Sequence, residues 1–536
     1  MNTNEHTELG DALRFPDWNI LQNNPYVSVD ENGSLHLHMQ GFTAMGLPEP
    51  VELKLSGGNI IAMSGDYFGG GEVCLNLPTI AEFNAHPDVY DINGTCKSLG
   101  KYLIKEPVTE GEEQKLISSY KKLANKEVQQ HDIDTIYTID KANYIPFSST
   151  LNFYVQQLMF ALRVKNYSEI LVRNLAHFTP WSVRVYTIGH HLALKYARIF
   201  YELNQFLADS TYQSQNSDFN SLLKLLEQTP KGLSHDNLQD MAYRYQALSL
   251  EMEFFAFHYF TDHFAAGHIS FVGDLRAELP KRFGLWGSIL VNNLHDELNR
   301  VRVYTKRAYD PTPDRTEPPV EAGGDGDFDV RNNYFNKQAC LAGMTRSLDD
   351  LHQVFKGKQP PAQTEYGGLE QMPDIDDTYR QPQPLLLLRG KKIYYRTDLN
   401  QISLLSPSQL RATYKAPLEN GYTELSNKFE AFFLVLKLRV IPFAYASRMK
   451  PLSADQLALL EAEEHELNPG RKPIPQPPLV LGQKPVSVPA WQQPASNHVL
   501  VQGLVKNGLL TASNRNRGLQ DEAAILDSEK AFSPTF

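Results

Sequence analysis

DNLQDMAYRYQALSLEMEFFAFHYFTDHF, residues 236–264, repeats apolar side chains three and four positions apart, the spacing that lays a continuous stripe along a helix. The same spacing runs through SVRVYTIGHHLALKYARIFYELNQFL at 182–207 and SSTLNFYVQQLMFALRV at 148–164. Several of these segments are apolar on most sides, as helices are in the interior of a bundle. The expected fold is therefore mainly α, with a helical bundle over 111–356 whose last member spans about 331–356.

Outward from the bundle the pattern changes. Residues 26–71 alternate short apolar runs with Gly, Asn and Pro, so residues 1–110 are expected as an N-terminal strand and loop segment. Beyond the bundle, 357–383 reads as a polar, Pro-containing linker. PLLLLRGKKIYYRTD and FEAFFLVLKLRVIPFAYA then look strand-like, which predicts a small separate α+β or β-rich C-terminal unit at 384–468. Residues 469–494 hold eight prolines, so 469–536 is expected as an extended Pro-rich linker and polar tail.

Composition excludes some roles. With 536 residues and a formal net charge of -11, a protein that wraps nucleic acid is disfavoured, because phosphate neutralisation needs clustered Lys and Arg. Three cysteines, Cys74, Cys96 and Cys340, lack finger spacing, so any metal must be held by His and carboxylates. The opening MNTNEHTELGDALRFPDW has acidic residues and no basic flank before an apolar run, so no signal peptide and no transmembrane segment are expected. The expected location is the cytoplasm of the producing cell, or export by a specialised secretion system, with a host cell as one destination.

Eight of the 16 histidines fall between His177 and His295. Within them, Phe257-His258-Tyr-Phe-Thr-Asp262-His263-Phe-Ala-Ala-Gly267-His268 puts His258 and Asp262 four apart on one helix face, where both reach one cation. Gly267 offers a helix end from which His268 can turn back toward a neighbouring ion. Asp66, in Ile61-Ala-Met-Ser-Gly-Asp-Tyr-Phe-Gly-Gly-Gly, sits on a tight, accessible turn. His177 precedes a Pro break and a helix, and His295 with Asn299 forms a second pair four apart. The alternation Leu35-His36-Leu-His38 reads as a structural strand, and the acidic loop Gly324-Asp-Gly-Asp327-Phe-Asp329 as helix capping rather than a calcium loop, because the remaining ligands are missing.

In this order, the segments SGDYFG, AHF-P, HHLAL and DHFAAGH followed by HDELN resemble the zinc-dependent phospholipase C and P1 nuclease superfamily. The wording is closest to its bacterial phosphatidylcholine-hydrolysing phospholipase C branch, which includes host-delivered effectors. The resemblance covers about residues 60–355. It implies a bundle of the phospholipase C/P1 nuclease type holding two or three Zn2+ ions, with Asp66, His177, His258 and Asp262 on one zinc and His268 with His295 on a second. The family's last acid falls on Asn299, so the second zinc is completed by Asn299, ranked first, by Asp296 or Glu297, or by a water. Founding members bind a third zinc with an N-terminal Trp and an early His, and this chain has no such Trp. His190 and His191 are possible substitutes, or serve packing or substrate contact, and His263 is a further candidate for substrate.

The implied activity is a phospholipase C that cleaves a glycerophospholipid such as phosphatidylcholine to diacylglycerol and a phosphorylated headgroup, with Asp66 as catalytic residue orienting the attacking water or taking its proton. The implied partner is phospholipid at a membrane surface, with no stable nucleic-acid partner. Phe257, Tyr259, Phe260, Phe264, Tyr67 and Phe68 suit acyl chains or a choline headgroup, and equally nucleobase stacking or plain core packing. The alternatives are a P1-type single-strand nuclease or nucleotidase, and a catalytically lapsed host-directed binding protein on the same fold.

Overall fold

The computed structural model describes residues 2–69, 103–146, 149–164, 174–269, 271–307, 318–326, 328, 330–375, 378–440, 447–472 and 477. The chain is mainly helical, with an N-terminal antiparallel sheet and several small sheets toward its C-terminal end. Most of the Pro-rich segment and the polar tail lie outside the described residues.

The first element is a helix, α1 (Thr3–Ala12), where a strand or loop is expected. A capping box starts it: Asn2 Oδ1 accepts from Glu5 N at 2.9 Å, and Asn2 N donates to Glu5 Oε2 at 3.1 Å, satisfying two amides that a helix N-terminus otherwise leaves open. Strands β1 (Val27–Val29), β2 (Leu35–Phe42) and β3 (Pro48–Ser56) follow as an antiparallel sheet in that order. His38 Nε2 lies 2.7 Å from the Val51 carbonyl inside this sheet, and His36 pairs with Asp30. Helix α2 (Gly57–Met63) then runs into a π-helical turn, Ser64–Phe68, which carries Asp66.

The bundle comprises α3 (Glu110–Leu123), α4 (Gln130–Lys141), α5 (Ser149–Arg163), α6 (Trp181–Ala208), α7 (Ser217–Glu227), α8 (His235–Asp262), α9 (Val272–Phe283), α10 (Leu285–Val301) and, after β4 (Val303–Arg307) and β5 (Val320–Ala322), α11 (Tyr334–Phe355). Helices α6 and α8, 28 residues each, form the central packed pair. At 1.5 Å per residue each is about 42 Å long. One apolar core joins them to α1, the first sheet, α3 and α11.

Glu251 is fully buried in this core. Its Oε2 accepts from Gln40 N at 2.8 Å and from the Tyr120 hydroxyl, and burial pushes its carboxyl up to about 8. A folded pKa above the ordinary 4.5 means that stability is full below about pH 4.5 and lost as pH rises through about 8, by a few kcal/mol. Glu251→Gln is expected to flatten that decline, as read from urea midpoints across the same window.

The remaining strands and α-helices, besides four two-residue strands, are β6 (Pro373–Ile375), β7 (Leu386–Arg389), β8 (Lys392–Arg396), α12 (Pro407–Lys415), β9 (Tyr422–Glu424), α13 (Lys428–Val435) and α14 (Ala454–Leu467). The hairpin β7–β8 agrees with the strand-like reading of its sequence. FEAFFLVLKLRV does not: it forms α13 and a π-helical extension, Leu436–Val440. Asn427 Oδ1 caps it by accepting from Phe429 N and Glu430 N, both at 3.0 Å. Its buried residues Ala431, Leu434, Val435 and Leu438 recur at helical spacing.

These C-terminal elements share a second core with the bundle, in which Leu386, Ile393, Ala431 and Leu434 meet Leu275, Leu279, Leu290 and Leu294 of α9 and α10. The expected linker is packed as well, with Tyr366, Leu369 and Met372 buried. A bidentate ion pair crosses the junction: Arg396 Nη1 and Nη2 donate to Glu297 Oε1 and Oε2 at 2.9 and 2.8 Å, both residues buried. Removing one partner strands the other charge, so Arg396→Met is expected to cost about 3–5 kcal/mol in chemical unfolding, and Arg396→Met with Glu297→Leu much less.

Candidate metal centre

Four pieces of backbone bring the site together. The last turn of α8 supplies His258 and Asp262, the π-helical turn Asp66, and a 3-10 turn, Asn174–His177, ends on His177. The loop after α8 supplies His268 and is tied to its neighbours by backbone bonds, Thr179 N to His268 O at 2.8 Å and Ala266 N to Gly323 O at 2.8 Å. Gly65 lets the π-turn lie against the imidazoles, since a Cβ there would collide with the His258 ring. Tyr259 Oη donates to Gly69 O at 3.1 Å, and the Tyr67 hydroxyl bonds Thr3 Oγ1 at 2.9 Å, pinning that turn.

At the centre stands Asp262, fully buried. Its Oδ2 lies 2.6 Å from His177 Nδ1 and 3.4 Å from His258 Nε2, and those two nitrogens are 3.1 Å apart. Asp66 Oδ1 is 3.9 Å from His177 Nδ1 and 4.0 Å from His258 Nε2. Its side chain, 32% exposed, is the accessible wall of the group. The other carboxylate oxygen, Asp262 Oδ1, faces two more imidazoles, His6 Nε2 at 3.3 Å and His268 Nδ1 at 3.5 Å. His268 Nε2 in turn lies 3.0 Å from His295 Nε2, and Asp325 Oδ2 lies 3.2 Å from the same His295 nitrogen.

Three ligand sets result, the first two sharing His258: His6, Asp66 and His258; His177, His258 and Asp262; and His268, His295 and Asp325. At His258 the protonation state favours ligation. His258 Nδ1–H donates to Ile61 O at 2.7 Å, which leaves Nε2 as a lone pair aimed at the cluster. Burial, then the neighbouring His6, lowers the His258 pKa to about 3, so the ring is neutral near pH 7. His6 Nε2 and His268 Nδ1 are buried and meet only Asp262 Oδ1 at ion-pair distance, without a well-formed hydrogen bond among the described residues, as befits atoms that suit a cation. Burial pushes the Asp262 carboxyl up, yet its electrostatic surroundings hold it well below its ordinary value. Four imidazoles thus surround one ionised carboxylate, with His177 Nδ1–H donating to Asp262 Oδ2 at 2.6 Å, an arrangement whose nitrogens and oxygens could hold divalent cations once that proton is released.

The residues expected from the sequence therefore meet, with one exception in role. Asn299 is adjacent, but its Oδ1 accepts from Gly267 N at 2.5 Å and its Nδ2 lies 3.2 Å from His295 Nε2, so it holds the turn. Glu297 is engaged by Arg396, and exposed Asp296 is bound by Arg439 at 3.0 Å. The carboxylate at His295 is Asp325, from the loop read as a helix cap. Burial opposes ionisation of His295, but Asp325 and then Asp296 raise its pKa to about 9.

His190 and His191 turn elsewhere. His190, buried, lies between Glu253 at 2.7 Å and Asp350 at 3.3 Å, and His191 pairs with Glu113 at 3.2 Å. His263 is buried against Ser182 Oγ at 2.9 Å and the Pro373 carbonyl at 3.0 Å, which anchors β6 rather than meeting substrate. Phe257, Tyr259, Phe260 and Phe264 are core residues with no exposed surface. Two rings lie beside the site: Tyr259, 5.3 Å from His258 and 5.7 Å from His177, and Phe178, 5.0 Å from His268 and 6.3 Å from His295.

His6 and Asp325 escaped the sequence reading. The signal for His6 was the capping pattern Asn2-x-x-Glu5, which predicts a helix carrying it. Glu5 also accepts from Phe328 N at 2.9 Å, so α1 anchors the loop that carries Asp325. No protein-family model matches this chain, and no curated protein and no solved structure matches it.

Proposed function

We propose that this chain is a zinc-dependent phosphodiester hydrolase of the phospholipase C kind, cleaving glycerophospholipids to diacylglycerol and a phosphorylated headgroup. The observation that carries the reading is the shared carboxylate. Asp262 presents one oxygen to His177 and His258 and the other to His6 and His268, the arrangement by which one side chain serves neighbouring cations. An all-imidazole and carboxylate donor set suits Zn2+. Such ions, when bound, neutralise phosphoryl oxygens and acidify water, the two requirements of phosphodiester hydrolysis.

The chain's own residues take defined parts. Asp66, on the accessible side, is the proton acceptor for the attacking water. Ile61 O fixes the His258 tautomer, and the Gly267–Asn299 bond fixes the turn that delivers His268. Asp325 supplies the negative charge opposite His295.

The test is phosphorylcholine release together with zinc content. Wild type is expected to bind zinc and release phosphorylcholine from phosphatidylcholine in a chelator-sensitive way. His258→Ala is expected to lose activity by about 10³-fold, roughly 4 kcal/mol. Chelator-sensitive cleavage of single-stranded DNA with no lipid hydrolysis overturns the substrate class, and a zinc-free wild type overturns the reading.

A further inference from the structure

One exposed apolar feature lies outside the metal centre. At the start of α10, Leu285 is 68% exposed, and on α13 Phe429 is 70% and Phe433 43% exposed. Four rings run as a continuous file: Trp286 to Phe432 at 5.0 Å, Phe432 to Phe433 at 5.4 Å, and Phe433 to Phe429 at 4.7 Å. Helix α13 buries Ala431, Leu434 and Val435 on its other face, so the file is not needed to hold the helix down. Exposed aromatics clustered in this way mark an interaction surface.

The surrounding charge identifies the partner. Residues 384–440 carry nine Lys and Arg against four Asp and Glu in a chain of net charge -11, with Arg396 taken up in an ion pair with Glu297 in the core and Arg439 in one with Asp296. Lys428 begins α13 beside Phe429, and Lys281 and Arg282 directly precede the loop to Leu285. The Arg282 guanidinium donates to the Lys391 carbonyl, which brings the Lys391–Lys392 turn alongside. Glu278, Glu424 and Glu430 lie in the same region and offset part of this charge. Aromatic rings framed by lysines fit the interface of a phospholipid bilayer, where rings enter the acyl boundary and ammonium groups meet phosphates.

The same two helices lead to the metal centre. Trp286 meets Phe432 at one end, and Arg439, past α13, meets Asp296 beside His295 at the other. Ten residues of α10 separate Leu285 from His295, about 15 Å. We propose that the Leu285, Trp286, Phe429, Phe432 and Phe433 ridge with its basic flank seats this chain on a phospholipid bilayer containing anionic lipid, holding the metal centre near its headgroups. The proposal deepens the phospholipase reading and rests on it.

The experiment is sedimentation of the full chain with phosphatidylcholine vesicles, with and without phosphatidylserine, alongside hydrolysis of a short-chain phosphatidylcholine below its micelle concentration. Wild type is expected to sediment more strongly when phosphatidylserine is present. Phe429→Ser, at an exposed position that leaves the core intact, is expected to weaken partitioning about tenfold, and Lys428→Glu to remove most of the phosphatidylserine dependence. Both variants are expected to hydrolyse the short-chain lipid as wild type does. A Phe429→Ser variant that sediments like wild type, or one that loses self-association instead, overturns the bilayer assignment. So does a wild type that hydrolyses short-chain lipid yet ignores vesicles, an outcome that leaves the enzymatic reading standing. Vesicle binding through the ridge with no hydrolysis of either lipid supports the docking surface and overturns the phospholipase reading.

Discussion

Asp262→Asn is expected to empty the centre of divalent metal and to lower kcat/KM by about 10³-fold or more, at least about 4 kcal/mol of transition-state stabilisation. The reason is that both carboxylate oxygens are in use: Oδ2 toward His177 and His258, Oδ1 toward His6 and His268. An amide is neutral and replaces one of those oxygens with a donor, so it cannot serve two cations. Elemental analysis of the purified variant is expected to show less than one zinc per chain. Loss of activity with full zinc content would contradict the sharing and make Asp262 a group that acts on substrate alone.

Asp325→Ala and Asn299→Ala are expected to differ, and the contrast decides how the second ion is held. Asp325 Oδ2 lies 3.2 Å from His295 Nε2, so its removal is expected to release one metal per chain and to lower kcat by about 10²-fold. Asn299 Oδ1 accepts from Gly267 N. Its truncation leaves a buried amide unsatisfied and is expected to cost about 1–3 kcal/mol of stability with the metal retained. The reverse result, metal lost with Asn299→Ala and kept with Asp325→Ala, would make the asparagine the ligand.

The parts legible in the sequence were those whose geometry is local. Helical spacing across 182–207 and 236–264 is set by 3.6 residues per turn, and the same periodicity placed His258 and Asp262 on one face before any contact was known. His268 was placed by Gly267, whose Cβ, if present, would come within 2.6 Å of Asn299 Oδ1 and of the His295 ring. Asp325 was read as a cap because nothing local separates a capping aspartate from one that faces an imidazole. The bond from Ala266 N to Gly323 O, 57 residues apart, is what delivers it. His6 was passed over because α1 is short and polar, with little apolar periodicity to reveal it.

KFEAFFLV shows propensity outvoted by capping and packing. Three phenylalanines and a valine favour a strand, but the Asn427 cap and the burial of Ala431, Leu434 and Val435 on one side make it a helix. Of the fates open to the aromatics beside the motif, core packing is the one that Phe257, Phe260 and Phe264 take, while Phe178 stands beside the imidazoles.

Anomalous scattering at the zinc edge from crystals of the purified chain tests the central claim most directly. The account predicts separate peaks about 2.0–2.2 Å from ligand atoms, one among Asp66, His177, His258 and Asp262 Oδ2 and another that shares Asp262 through Oδ1, among His268, His295 and Asp325. No anomalous density near Asp262 in crystals grown with zinc would contradict it.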